Sequence, residues 1–299
     1  MMQKRNYTDL ISRVKQRTNP DGFSFKRMMS EGLSIPYSDV IEYIKLSMYG
    51  VPSTYTKNSK EAANKVIAHL KNSHGNEVEF KLQGSIETNT HILKENDIDL
   101  VQISNKSSTV DRMGLSEALK TPNMLTNIEY ANLKKHSDDF SVYQGKQLSD
   151  LGELRVKAEN VLLSNYKEVD ISKSKAIFVK TNNPKRKVDV VTAVFYNNVS
   201  YMKSNQDYKK GIQVYDKDSD SKLPVEYPFW SIKRINEKSI ATNGRIKKMI
   251  RFLKNLKFDS NQFNEKSKIS SFDINAICYD IDINTYRTLN FIELISILY

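Results

Sequence analysis

Apolar and polar positions follow two different rhythms along this chain, and the change of rhythm divides it into elements. Residues 38–48 carry apolar side chains at helical spacing. Ala62, Ala63, Val66, Ile67 and Leu70 recur at the steps that line one helix face. Asn58 and Glu61 have capping-box spacing, so this helix is expected to start near Asn58 and end within Ser73-His74-Gly75-Asn76. Val78, Phe80 and Leu82 alternate with polar neighbours up to Gly84, the signature of a half-buried strand. A second strand is expected over 97–103, an exposed loop over 105–113 and a helix over about 147–166. Two more strands, near 174–180 and 187–196, flank Asn182-Asn183-Pro184, a strong turn signal.

From about 204 to 224 the chain is polar, and the charged run at 216–222 suggests a boundary. The pattern thus predicts two domains, a core over 1–205 and a helical domain over 206–299. In the second, Ile246, Met249, Ile250, Leu253 and Leu256 form an apolar stripe after Gly244. Ile274, Ile277, Cys278 and Ile281 form another, and residues 285–298 a last one. The first 35 residues are basic and weakly patterned, suiting an arm or a short helix. The fold class is α+β, a small mixed sheet joined to a helical C-terminal domain.

Composition narrows the setting. Hydrophobic residues make up 39%, enough for a core. No apolar run approaches the roughly 18 residues of a membrane span, and MMQKRNYTDL lacks the apolar centre of a signal peptide. A lone cysteine, Cys278, excludes a disulfide framework and reads as core. The expectation is a cytoplasmic protein with no membrane partner. Lys and Arg outnumber Asp and Glu by 46 to 35, and the formal charge of +11 favours polyanionic partners or reflects composition bias alone. The four histidines show no metal-ligand spacing.

The candidate chemistry is acidic. Asp97 and Asp99 lie two apart in a strand, so both carboxylates share a face. Asp189 sits within Val188-Asp189-Val190-Val191, an apolar strand where an unpartnered acid is costly. Three carboxylates can hold two magnesium ions about 3.5–4 Å apart for phosphoryl displacement. Asp-x-Asp alone is a cheap pattern, recurring at Asp280-Ile281-Asp282, where a helix end points the two side chains about 200° apart. Gly84-Ser85, just after a strand, permits close backbone approach to a phosphate. Lys185-Arg186-Lys187 reads as a charged hairpin edge, with phosphate contact as the alternative.

The order of these features resembles the polymerase beta-like nucleotidyltransferase superfamily. The match runs through Gln83-Gly84-Ser85-Ile86, Asp97-Ile98-Asp99-Leu100 and Val188-Asp189-Val190-Val191. Thr242-Asn243-Gly244-Arg245, Arg251–Lys257 and Ile269–Ile274 bring it closest to the cGAS/DncV-like nucleotidyltransferases of bacterial anti-phage signalling. The resemblance covers roughly residues 45–290. It implies Asp97, Asp99 and Asp189 as catalytic metal ligands for two Mg²⁺ ions, with Mn²⁺ as a substitute. It further implies Gly84, Ser85, Lys254 and Ser271 at the triphosphate and Phe272 against a base. The implied substrates are nucleoside triphosphates, and the implied product is a cyclic di- or trinucleotide that activates a separate effector. A regulatory ligand, nucleic acid or partner protein remains open as the trigger. From the residues alone, Ser270 or Ser271 also suits a helix cap and Phe272 a core position. Extension of an RNA, modification of a protein acceptor, and a non-catalytic sensor are the competing readings.

Overall fold

The computed structural model describes residues 7–18, 39–92, 97–261 and 268–299. In chain order the elements are α1 (Tyr7–Thr18), α2 (Asp39–Met48), α3 (Ser53–His74), β1 (Val78–Gln83), α4 (Ser85–Thr88) and β2 (Asp97–Val110). Then come α5 (Arg112–Lys120), α6 (Asn127–Asp138), α7 (Gln147–Asn165), β3 (Glu168–Asp170), β4 (Ala176–Asn182) and β5 (Lys185–Asn197). The remainder is α8 (Val199–Ser204), β6 (Gly211–Asp216), β7 (Ser221–Lys222), α9 (Pro228–Ala241), α10 (Arg245–Asn261), α11 (Ser271–Asp280) and α12 (Glu293–Leu298). Among the described residues no helix is long and apolar enough to cross a membrane.

The chain forms two compact units. One comprises Asn58–Gly84 and Asp97–Lys233, the other Met1–Lys57, Ser85–Asn96 and Arg234–Tyr299. The expected division at 205/206 therefore falls inside the sheet unit. β6 pairs with the second half of β5, and the polar run at 216–222 is the β6–β7 hairpin rather than a linker. The N-terminal helices, expected with the core, belong to the helical unit.

In the sheet unit the strand order is β1-β2-β5-β4-β3, with β6 added on β5. β2 and β5 run parallel, while β1–β2, β4–β5 and β5–β6 are antiparallel. Ile98, Leu100, Val188 and Val190 are buried on one face, alternating with Asp97, Asp99, Lys187 and Asp189 on the other. Helix α7 packs against the sheet and buries Leu151, Ala158 and Leu162. Beyond the acids, their own face closes over an apolar cluster of Val101, Ile103, Ala193, Phe195, Ile212 and Val214. The sheet thus presents an acidic corner beside this apolar cluster.

Two local expectations change. Residues 105–110 are strand, not loop, because β5 supplies partners beyond a register shift, pairing Ser108 with Phe195 and Val110 with Asn197. Backbone pairing outweighs the polar side chains there. Helix α3 starts at Ser53, not Asn58. The Pro52 carbonyl accepts from the Tyr55 and Thr56 amides, so Pro52 opens the first turn.

The helical unit is organised by α10. Ile246, Met249 and Ile250 join Leu10, Val14, Tyr43, Leu46, Ile274, Cys278 and Leu294 in its core. Of the expected stripe, Leu256 stands 38% exposed. A buried ion pair fixes the register: Arg17 donates to both Asp259 oxygens at 2.8 and 2.7 Å, and Tyr43 donates to the same carboxylate at 2.8 Å. Isolated, either charge would be expensive to bury, so the pair constrains which helix faces meet.

Candidate active site

Parallel pairing places Asp99 directly beside Asp189, and Asp97 beside Lys187. Because alternate strand residues share a face, all three carboxylates rise from the same side of β2 and β5. Asp189 is mostly buried, with its side chain 19% exposed. Burial raises its carboxyl above the ordinary range and the nearby Asp97 adds to that, while Lys173 opposes it. Lys173 Nζ lies 3.5 Å from Asp189 Oδ1, and Lys187 Nζ 3.9 Å from Asp97 Oδ1.

Gly84 follows β1 in a left-handed conformation, φ +75°. A Cβ added there would fall 2.2 Å from Asp99 Oδ2. The positive φ favours glycine, and any Cβ there would also force the Asp99 carboxylate to shift. The sequence motif therefore reports a real packing constraint between the turn and the acidic strand.

The donor set suits a hard divalent cation, since it offers only carboxylate oxygens, crowded on one face, beside a cradle that a side chain would fill. Among the described residues, no three acidic, imidazole or thiol groups converge tightly enough to share one ion. Asp189 and Asp97 each have a lysine ammonium within 4 Å.

The other expected contacts lie in the helical unit. Ser85 opens the short helix α4, and its carbonyl accepts from Thr90 N at 3.0 Å. Thr90 Oγ1 in turn lies 2.8 Å from Thr88 Oγ1 and accepts from Lys254 Nζ at 3.5 Å. Lys254 is buried, so its amine is held beside the turn of Ser85 rather than on the solvated face of α10. Ser270, not Ser271, caps α11, accepting from Asp273 N at 3.0 Å in a full capping box. That leaves the hydroxyl of Ser271 outside the cap. Phe272 is 64% exposed, so it is not a core residue. Cys278 is buried and its thiol is pushed up to about 12, the inert state expected of a core cysteine. His91 is likewise structural: it is buried, with Nε2 3.2 Å from Thr56 Oγ1.

Comparison with known proteins decides the family. The model for the C-terminal helical domain of cGAS/DncV-like nucleotidyltransferases matches residues 233–298. A c-di-GMP synthase from Flavobacteriaceae sp. genome_bin_11 is 54% identical over 307 aligned residues, covering 100% of this chain and 84% of its own length. This chain belongs to the cGAS/DncV-like nucleotidyltransferases. The solved STING-associated CdnE c-di-GMP synthase from Flavobacteriaceae sp. superposes with a TM-score of 0.90 at 52% identity, over 99% of this chain and 85% of that one. The corresponding Capnocytophaga granulosa synthase gives 0.77 at 38% identity, over 99% and 82%. The chain is thus an enzyme, a nucleotidyltransferase of the branch that makes cyclic oligonucleotides.

Sequence reasoning passed over three residues that shape this nucleotidyltransferase. Arg251, which entered the sequence reading only as the first residue of the Arg251–Lys257 segment, is buried and donates to Met48 O and Asn89 O, both at 2.8 Å. Burial lowers its guanidinium to about 10. Arg155 is buried on α7, bonded to Glu159 at 2.8 Å and to the Lys173 carbonyl at 2.9 Å. Lys173 itself carries no local signal, because it lies in the connection between β3 and β4 and meets Asp189 only in the folded chain. An arginine followed four residues later by a glutamate, as in Arg155 and Glu159, was the one available hint.

Proposed function

We propose that this enzyme converts two GTP molecules into cyclic di-GMP, releasing two pyrophosphates, as a signal in anti-phage defence. The observation that carries the choice of product is the 54% identity to a c-di-GMP synthase across the whole chain. In each half-reaction a ribose hydroxyl of one nucleotide attacks the α-phosphorus of another. One P–O bond forms, the bond to pyrophosphate breaks, and the hydroxyl proton is lost. Repetition within the linear intermediate closes the ring.

Asp97 and Asp99 would hold two Mg²⁺ ions, with Asp189 completing the set; Mn²⁺ suits the same oxygens. Bound there, the ions would supply positive charge to the phosphoryl oxygens and acidify the attacking hydroxyl. Asp189 is suited to take part in removing that proton, since burial makes its carboxylate more basic than a solvated one. Gly84 leaves the backbone free to approach phosphate. Ser85 and Lys254, linked through Thr90, would donate to the triphosphate, as would the Ser271 hydroxyl. The exposed ring of Phe272 is free to stack on a guanine. Most of the rate enhancement then comes from positioning and charge neutralisation.

The product would act on a separate effector in the cytoplasm, a reading supported by relatives described as STING-associated. Labelled GTP supplied alone with magnesium tests the proposal. A phosphatase-resistant cyclic product supports it, whereas label incorporated only into added RNA contradicts it.

A further inference from the structure

Two lysines face the carboxylates without a part in the chemistry above. Lys173 Nζ stands 3.5 Å from Asp189 and Lys187 Nζ 3.9 Å from Asp97. A charge-assisted bond of this kind closes to about 2.7–2.9 Å when fully formed, so both pairs are loose. The same two ammonium groups lie 5.5 and 5.9 Å from the centre of the Phe178 ring. Phe178 is the β4 neighbour of Asp189 and shares its face of the sheet. Each lysine thus has two resting places for its charge, a carboxylate and an aromatic face.

Their backbones are fixed while their heads are only loosely held. Arg155, itself buried, donates to the carbonyls of Lys173, Ser174 and Ala176 at 2.9, 3.3 and 3.1 Å, which holds the chain entering β4. Lys187 is held by its register opposite Asp97. The side chains of Lys173 and Lys187 are 48% and 57% exposed, leaving room to swing.

We propose that Lys173 and Lys187 are stand-in cations for the catalytic carboxylates. They balance Asp189 and Asp97 while no divalent ion is bound, and they move off when the ion takes the oxygens. The Phe178 ring then holds their charge within reach of an incoming polyphosphate. The lysines therefore compete with the ion and help set the concentration at which it binds. This inference rests on the reading of the three aspartates as metal ligands.

The test uses the full chain without nucleotide, titrated with magnesium and followed by thermal unfolding. Lys173→Met and Lys187→Met keep the stems and remove the charges. The double variant is expected to melt lower than the wild type in EDTA. Its magnesium midpoint is expected to fall about two- to tenfold, the scale of two partly exposed ion pairs. A midpoint equal to or above that of the wild type overturns the proposal. A wild type that neither responds to magnesium nor makes product with it overturns the metal reading itself, and this inference with it.

Discussion

Asp99 on β2 and Asp189 on β5 are direct neighbours across a parallel strand pair, so residues 90 positions apart in sequence present their carboxylates side by side. Parallel pairing requires a long crossover, and here the crossover carries α5, α6, α7 and the β4 hairpin. The acidic corner is therefore a product of tertiary structure, assembled only when the sheet closes.

Crowding acids has a pH signature. Burial, then Asp97, raises the Asp189 carboxyl in the folded state. For an acid with a raised folded pKa, no penalty exists below the unfolded value of about 3.9, where both states are protonated. The penalty develops as pH rises through the folded value and persists above it. Asp189→Asn should therefore melt higher than the wild type in EDTA at pH 7. The difference should shrink as pH falls toward about 4 and vanish below it, and thermal unfolding across that range measures it.

The turn before the acids is equally constrained. Gly84→Ala would place a methyl 2.2 Å from Asp99 Oδ2 at a φ of +75°. We expect a loss of about 1 kcal/mol or more in urea unfolding and a fall in product formation of at least about a hundredfold. A variant with wild-type kcat would show that the Asp99 carboxylate moves aside freely.

Arg251 holds the segment after Gly84-Ser85 within the helical unit. Its guanidinium is buried and ties α10 to the carbonyls of Met48 and Asn89. Arg251→Met should cost about 2–4 kcal/mol, because two buried carbonyls lose a charged donor. Arg251→Lys should recover little of that, since a single ammonium cannot reproduce the fork. Chemical denaturation of both variants reads the difference.

Cys278 should be silent. With its thiol pushed up to about 12 by burial, it should not react with a disulfide reagent at pH 8 in the folded protein, and should react fully after denaturation. Cys278→Ala should keep its activity.

Much of this was legible from local pattern. The helices at 39–48 and 147–165 and the β1, β4 and β5 strands follow from apolar period and turn residues. Asp189 stood out because an acid within an apolar strand is costly, whereas Gly84, Asp97 and Asp99 took their weight from their order along the chain. Lys173, Arg155 and Arg251 were not legible, since their meaning lies in register and burial. The strand over 105–110 was missed for the same reason, since β5 holds Ser108–Val110 beyond a register shift that local propensity does not reveal. The domain division was misplaced because a charged β-hairpin and a linker look alike in composition.

The central claim is that Asp97, Asp99 and Asp189 drive cyclic dinucleotide synthesis from GTP. Mass spectrometry of the product formed from an equal mixture of the four nucleoside triphosphates tests it most directly, comparing the wild type with Asp97→Ala, Asp99→Ala and Asp189→Ala. Cyclic di-GMP from the wild type, reduced by about a thousandfold or more in each folded variant, is the predicted result. A product lacking guanine, or undiminished synthesis by any one of the variants, would contradict it.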